Sequence, residues 1–136
     1  IRVTGQNCSI ARNKVLQIGG STTAGSYPTF TGIFVYGSNN VIEKNDVAGF
    51  VTTSGSANLG ILVNPSSNSL IEGNRIIGAT TAIHVGHSAA VEVVGNRIWQ
   101  GTRGVEYVLS SGKYRDNLTL GVSSPYYGGT DAGNND

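Results

Sequence analysis

An asparagine that returns at one place in a repeated pattern constrains the fold of this chain more than any other feature. The pattern reads apolar-x-apolar, a polar turn, then apolar-x-x-Asn-x-apolar. It begins as Ile1-Arg2-Val3, Ile10, Asn13 and Val15, and returns as Ile33-Phe34-Val35, Ile42, Asn45 and Val47. A third copy has Ile61-Leu62-Val63, Ile71, Asn74 and Ile76, and a fourth has Ile83-His84-Val85, Val93, Asn96 and Ile98. The fifth, Val105-Glu106-Tyr107, Tyr114 and Asn117, is degenerate, with its following apolar residues shifted to Leu118 and Leu120. The asparagines stand 32, 29, 22 and 21 residues apart. The period is therefore about 22 residues once two insertions, Gly19 to Phe30 and Phe50 to Asn58, are set aside. Both insertions fall after the strand that follows the asparagine and before the next apolar-x-apolar strand.

Such a unit holds two or three strands of three to five residues with polar corners, too short to bury a face alone. The residue supply agrees: valine and isoleucine number 25 against 7 leucines, glycine numbers 20 in 136, and methionine is absent. β-Branched side chains are restricted in helices, and Gly and Asn punctuate the chain, so nearly pure β structure is expected. Units of this kind close a core only by stacking, which winds the chain into a solenoid with parallel strand pairing. About five coils at the usual strand spacing give a height of about 24 Å. Ile1, Ile33, Ile61, Ile83 and Val105 should stack as one inward column, and Ile10, Ile42, Ile71, Val93 and Tyr114 as another.

The repeat resembles the right-handed parallel β-helix family, the pectate-lyase-like fold, over nearly the whole chain. The ending, Tyr114 to Val122 followed by Gly128-Gly129-Thr130-Asp131-Ala132-Gly133, is also similar to the tails of many bacterial proteins with β-helix repeats. The resemblance implies an all-β, right-handed parallel β-helix of about five coils with two loop insertions on one edge. Residues 1–122 would form the coils and residues 123–136 a C-terminal tail or cap, with Tyr126 and Tyr127 folding back.

The column Asn13, Asn45, Asn74, Asn96 and Asn117 reads as a structural ladder. An amide at the same turn of each coil satisfies backbone groups that the sheets leave unpaired. The outward column of the first strand reads Arg2, Phe34, Leu62, His84 and Glu106, with Tyr36 nearby. Phe34, Tyr36, Leu62 and His84 form a candidate ligand surface, since aromatic faces suit sugar rings. The competing reading is that the insertions, which carry Tyr27, Phe30 and Phe50, cover them. For catalysis the candidates are Arg2, His84 and Glu106 on this face, and Glu43 and Glu72 elsewhere. Glu43 and Glu72 each precede a ladder asparagine by two residues, so they should stand in adjacent coils, as a retaining glycosidase would require of its two carboxylates. Lys14, Asp46, Arg75 and Arg97 beside them favour a solvated charge ladder instead.

His84 and His87 do not present two ligands to one metal, and the chain's single cysteine, Cys8, reads as a packed side chain. No metal site is expected. The Gly128–Gly133 stretch is similar to one calcium-binding nonapeptide without its middle glycine, which is weak support for calcium and for no other cofactor. Several marks of active relatives are missing: clustered aspartates, a Gly-His-Gly, an Asp-Pro-His. Only Asp46 lies within the four regular coils. Asn7-Cys8-Ser9 and Asn117-Leu118-Thr119 match glycosylation sequons by chance on this reading, because Asn117 belongs to the ladder and Asn7 to a tight corner.

Nine basic and eight acidic side chains give a net charge of +1 with no basic stripe, which argues against nucleic acid. No run approaches the roughly 18 apolar residues of a membrane span. Ile1 begins inside a strand, so an end that associates is expected there, covered by further coils of a parent chain or by a homo-oligomer. The resulting expectation is an extracellular or cell-surface module with a carbohydrate-associated binding or scaffold role. The alternatives are a polysaccharide-active enzyme (lyase, glycoside hydrolase or epimerase) and a structural subunit of a phage fibre or surface filament.

Overall fold

The computed structural model describes residues 1–19, 29–51 and 57–136, with the side chain of Thr29 also outside the description. Tyr27 and the central parts of both insertions therefore lie outside the described residues. In chain order the strands are β1 (Arg2–Thr4), β2 (Ser9–Ala11), β3 (Lys14–Leu16), β4 (Thr29–Tyr36), β5 (Val41–Glu43), β6 (Asp46–Ala48), β7 (Ala57–Val63) and β8 (Leu70–Glu72). They continue as β9 (Arg75–Ile77), β10 (Thr81–Gly86), β11 (Val91–Val94), β12 (Arg97–Val108), β13 (Gly112–Arg115), β14 (Leu118–Tyr127) and β15 (Thr130–Asp131). Every pairing between them is parallel.

Each turn of the solenoid has three legs. The first carries the apolar-x-apolar strand, the second precedes the ladder asparagine, and the third follows it. Second legs stack as the sheet β2-β5-β8-β11-β13-β15. First and third legs belong to one larger sheet because β12 begins by pairing with β9 and ends by pairing with β10. There the third leg runs into the first as a single long strand, because β12 and β14 pair through the corner itself, Gly101 with Val122 and Arg103 with Ser124. The sequence pattern suggests three to five residues per strand; β4, β7 and β10 run to eight, seven and six, and β12 and β14 reach twelve and ten because they stay paired through their shared corner.

The register places Ile33, Ile61, Ile83 and Val105 side by side, and Ile10, Ile42, Ile71, Val93 and Tyr114 side by side on the second leg. Apart from Ile10 and Tyr114 these side chains are fully excluded from solvent, each contributing about 1.5–3 kcal/mol by burial. Ile1, expected inward, is 47% exposed, because β1 is the edge of its sheet and has a neighbour on one side only. Leu118 and Leu120 also differ from the sequence reading. β14 keeps the register Ile98↔Thr119, so Thr119 takes the inward position and both leucines face out.

The turn before each ladder asparagine requires a left-handed residue: Arg12, Lys44, Gly73, Gly95 and Asp116 have φ of 56°, 54°, 61°, 62° and 56°. A side chain there costs about 1–2 kcal/mol, which the ladder offsets. The backbone N–H and the side-chain amide of Asn13 both donate to Asn45 Oδ1, at 2.9 and 3.0 Å. Asn45 does the same to Asn74, Asn74 to Asn96 and Asn96 to Asn117. Asn117 passes the pattern on to Asn135, at 3.1 and 3.2 Å. The first corner has a second ladder, in which the N–H of Ser66 donates to Ser88 Oγ and that of Ser88 to Ser110 Oγ. Past residue 122 the chain stays in register through Tyr127 and then in β15. Tyr126 stacks on Tyr114 with centroids 4.7 Å apart, and Tyr114 lies 6.5 Å from Tyr107, so three rings cover this end of the aliphatic core.

Candidate functional site

Strand register assembles the outer column of the first leg. Arg2 stands beside Phe34, Phe34 beside Leu62, Leu62 beside His84, His84 beside Glu106, and Glu106 beside Tyr127. A strand alternates faces, and because Ile33, Ile61, Ile83 and Val105 point in, their successors point out. Arg2 holds its guanidinium carbon 5.3 Å from the centroid of the Phe34 ring, and Arg103 lies 5.7 Å from that of Tyr127. A cation thus sits over an aromatic ring at both ends of the column, a contact worth about 0.5–1 kcal/mol at exposed sites. Tyr36, beside Thr4 at the end of β4, is 50% exposed. Phe34, Leu62 and Phe30 are half-buried, and Phe50 packs against the core.

Near the C-terminal end the column opens into a cleft of about 390 Å³ lined by Ala57, Leu59, Thr80, Thr81, His84, Thr102, Arg103 and Glu106. Glu106 is only 4% exposed, and both of its carboxylate oxygens are engaged. Oε2 meets His84 Nδ1 at 2.9 Å, and Oε1 accepts from the Arg103 guanidinium. A buried carboxylate needs such partners. With Nδ1 held by Glu106, the imidazole orientation is fixed and Nε2 is the nitrogen left to act as donor or acceptor, the arrangement by which a carboxylate sets a histidine tautomer. Gly86 makes room for this ring: a Cβ there would stand 3.2 Å from His84 Nε2 and 3.0 Å from Asn64 Nδ2.

The structure brings together His84 and Glu106 on one sheet and, as expected from their spacing, Glu43 and Glu72 on the other, and it leaves Arg2 apart from both pairs. Arg2 is three strand steps from His84, about 14 Å at the usual spacing. Glu43 and Glu72 are in register on adjacent second-leg strands, on the other sheet, with Lys44 3.4 Å from Glu43. Lys14, Asp46, Arg75 and Arg97 form an outward column on the third leg, with Arg75 donating to Asp46 at 2.6 Å. His87 is exposed at a left-handed corner. Cys8 is half-buried against the core. In the Gly128–Gly133 stretch Asp131 Oδ1 accepts from Gly133 N–H and the Asn135 amide. Among the described residues no group of three His, Cys, Asp or Glu side chains converges as metal ligands do.

Sequence reasoning missed Arg103 and Tyr127. Strict alternation puts residues 103 and 106 on opposite faces, but β12 turns from third leg to first between them and carries Arg103 onto the side of Glu106. Tyr127 lay in the residues read as tail. The tyrosines capping the core are shifted by their surroundings: burial pushes the Tyr107 hydroxyl pKa up, and burial first, then Asp131 and other neighbours, raises Tyr126 to about 12.

With the fold and the cleft established, comparison with protein families gives a match to the right handed beta helix region over residues 2–119. The chain belongs to the right-handed β-helix family. Neither curated proteins nor solved structures give a match. Membership fixes the hand of the solenoid, and the parallel ladders agree with it, while the chemistry of the cleft is this chain's own. Among the described residues no helix is long and apolar enough to cross a membrane.

Proposed function

We propose that this β-helix is a carbohydrate-associated module of an extracellular or cell-surface protein, and that the first-leg outer face takes a polysaccharide strand. The observation that carries this reading is the continuous column Arg2-Phe34-Leu62-His84-Glu106-Tyr127, with cations seated over rings at both ends and, between Leu59 and Arg103, a cleft of mixed apolar and hydroxyl lining. Apolar rings and guanidinium groups, with threonine hydroxyls beside them, supply stacking and hydrogen bonding for sugar faces and hydroxyls.

A second reading is favoured by one contact. His84 Nδ1 at 2.9 Å from a buried carboxylate gives an oriented imidazole in a cleft, which suits proton transfer on a bound polysaccharide. On that reading His84 is the acid or base and Glu106 positions it. Size-exclusion chromatography with light scattering, with and without pectin, alginate and a neutral glycan, separates the two. Co-elution with unshortened polymer supports a binding module. Polymer shortened by the wild type and untouched by His84→Ala supports the enzyme. Polymers that neither bind nor shorten refute both.

A further inference from the structure

The third leg carries an outward apolar stripe that is exposed at both of its ends. Leu16 stands beside Ala48, the next register step brings Ala48 beside Ile77, and Ile77 stands beside Trp99 and Trp99 beside Leu120. Leu16 is 48% and Leu120 65% exposed, while Ala48, Ile77 and Trp99 are half-buried. The other outward column of the same strands reads Lys14, Asp46, Arg75, Arg97 and Leu118. A solvated sheet face usually alternates apolar-in and polar-out, and here an outward row is apolar on every rung.

We propose that this face is the interface of a homodimer in which two solenoids pack antiparallel about a two-fold axis running along the strand direction at Ile77. Such an axis keeps each column over its own column and reverses the rung order. Ile77 then meets its own copy, Leu16 meets Leu120, and the largest side chain of the stripe, Trp99, meets the smallest, Ala48. The charged column gives two attractive pairs in the same arrangement, against one like-charge contact at the axis. Asp46 faces Arg97 of the second copy on both sides of the axis, and Lys14 faces the apolar Leu118. At the axis Arg75 meets its copy with each guanidinium already held by its own Asp46 at 2.6 Å. The parallel alternative, with rung facing rung, sets Trp99 against Trp99 and leaves a gap between two Ala48 residues. A closed two-fold contact repeats each pairing twice, which is how a narrow stripe gains specificity. Five rungs and a three-residue width cover less than the ~800 Å² per partner of stable complexes, so the dimer is weak and concentration-dependent.

Sedimentation velocity on the whole chain from about 1 µM to about 1 mM tests this, with emission from the single tryptophan as a reporter at the contact. The expected result is monomer giving way to dimer across that range, with a parallel blue shift. Ala48→Trp and Trp99→Ala should each raise Kd tenfold or more, which is about 1.4 kcal/mol, and the double variant should restore it by exchanging the two sides. Both positions face outward, so circular dichroism should be unchanged in all three. A monomer at the highest concentration overturns the proposal. So does a dimer whose affinity is indifferent to Ala48→Trp, or a blue shift that requires anionic vesicles instead of a second copy. Glycan co-elution reads the first-leg face, so it succeeds or fails independently of this result.

Discussion

Replacing Asn74 by alanine tests the ladder at a fully buried rung, and the cost can be worked from the bonds. The side-chain oxygen of Asn74 accepts from the Asn45 backbone N–H at 2.9 Å and the Asn45 amide at 3.0 Å. Its own amide donates to the Ile42 carbonyl at 2.9 Å and to Asn96 Oδ1 at 3.0 Å. After truncation the Asn45 amide keeps Ile10 O at 2.8 Å, and Asn96 Oδ1 keeps the backbone N–H of residue 74 at 2.9 Å. The buried Asn45 backbone N–H loses its acceptor. One orphaned donor costs about 1–3 kcal/mol, and the weakened neighbours and the small void bring the total to about 2–4 kcal/mol. Asn13→Ala is the internal comparison. Its side chain is half-buried, and Asn45 Oδ1 keeps the backbone N–H of residue 13, so the loss should stay below about 1 kcal/mol. Urea midpoints for the two variants and the wild type decide the matter. Equal shifts for Asn13→Ala and Asn74→Ala, or no shift for Asn74→Ala, would refute the argument that the ladder works by satisfying buried backbone groups.

Further consequences follow from other parts of the fold. Gly60→Ala would put a Cβ 2.4 Å from the Ala82 carbonyl and 2.6 Å from Ile76 Cγ2, so it should destabilise by at least about 2 kcal/mol in the same denaturation assay. Tyr107→Phe removes a hydroxyl that donates to the carbonyls of Val91 and Lys113, each at 3.0 Å, and should cost about 1–2 kcal/mol of stability. The Tyr126 hydroxyl ionises near pH 10 when unfolded and at about 12 when folded. The raised folded value means the unfolded chain loses its proton first, so this contribution is complete below pH 10 and is lost between 10 and about 12. Urea midpoints across that range should fall for the wild type and fall less steeply for Tyr126→Phe. If the glycan surface is as proposed, Phe34→Ala and Tyr127→Ala should each weaken polysaccharide co-elution several-fold, about 1 kcal/mol of lost stacking, with thermal stability little changed.

The repeat and the strand register were legible because a solenoid states its periodicity directly: the asparagine at position x of one coil is in contact with the asparagine at position x of the next. The outward column from Arg2 to Glu106 was legible by the same counting, since alternation within a three-residue strand needs no tertiary knowledge. What counting missed lies where the period is broken. Arg103 is at a corner where a strand changes legs and alternation no longer assigns a face. Leu118 and Leu120 drew attention by hydropathy, yet the ladder holds Thr119 at the inward position and leaves the leucines outside. The serine corner at Ser66, Ser88 and Ser110 has a spacing of 22 residues that a wider search of the repeat would have found. The pairing of His84 with Glu106 was implied by register, whereas the burial of Glu106 and its second partner required side-chain positions.

The first-leg outer face is the part of the account on which function rests, and backbone amide NMR shifts during titration with a binding polysaccharide locate the ligand directly. Perturbations should concentrate on β1, β4, β7, β10 and the last residues of β12 and β14, strongest at Phe34, Leu62, His84 and Tyr127. Perturbations confined to the second-leg sheet around Glu43 and Glu72, or to the third-leg stripe around Trp99, would contradict this expectation.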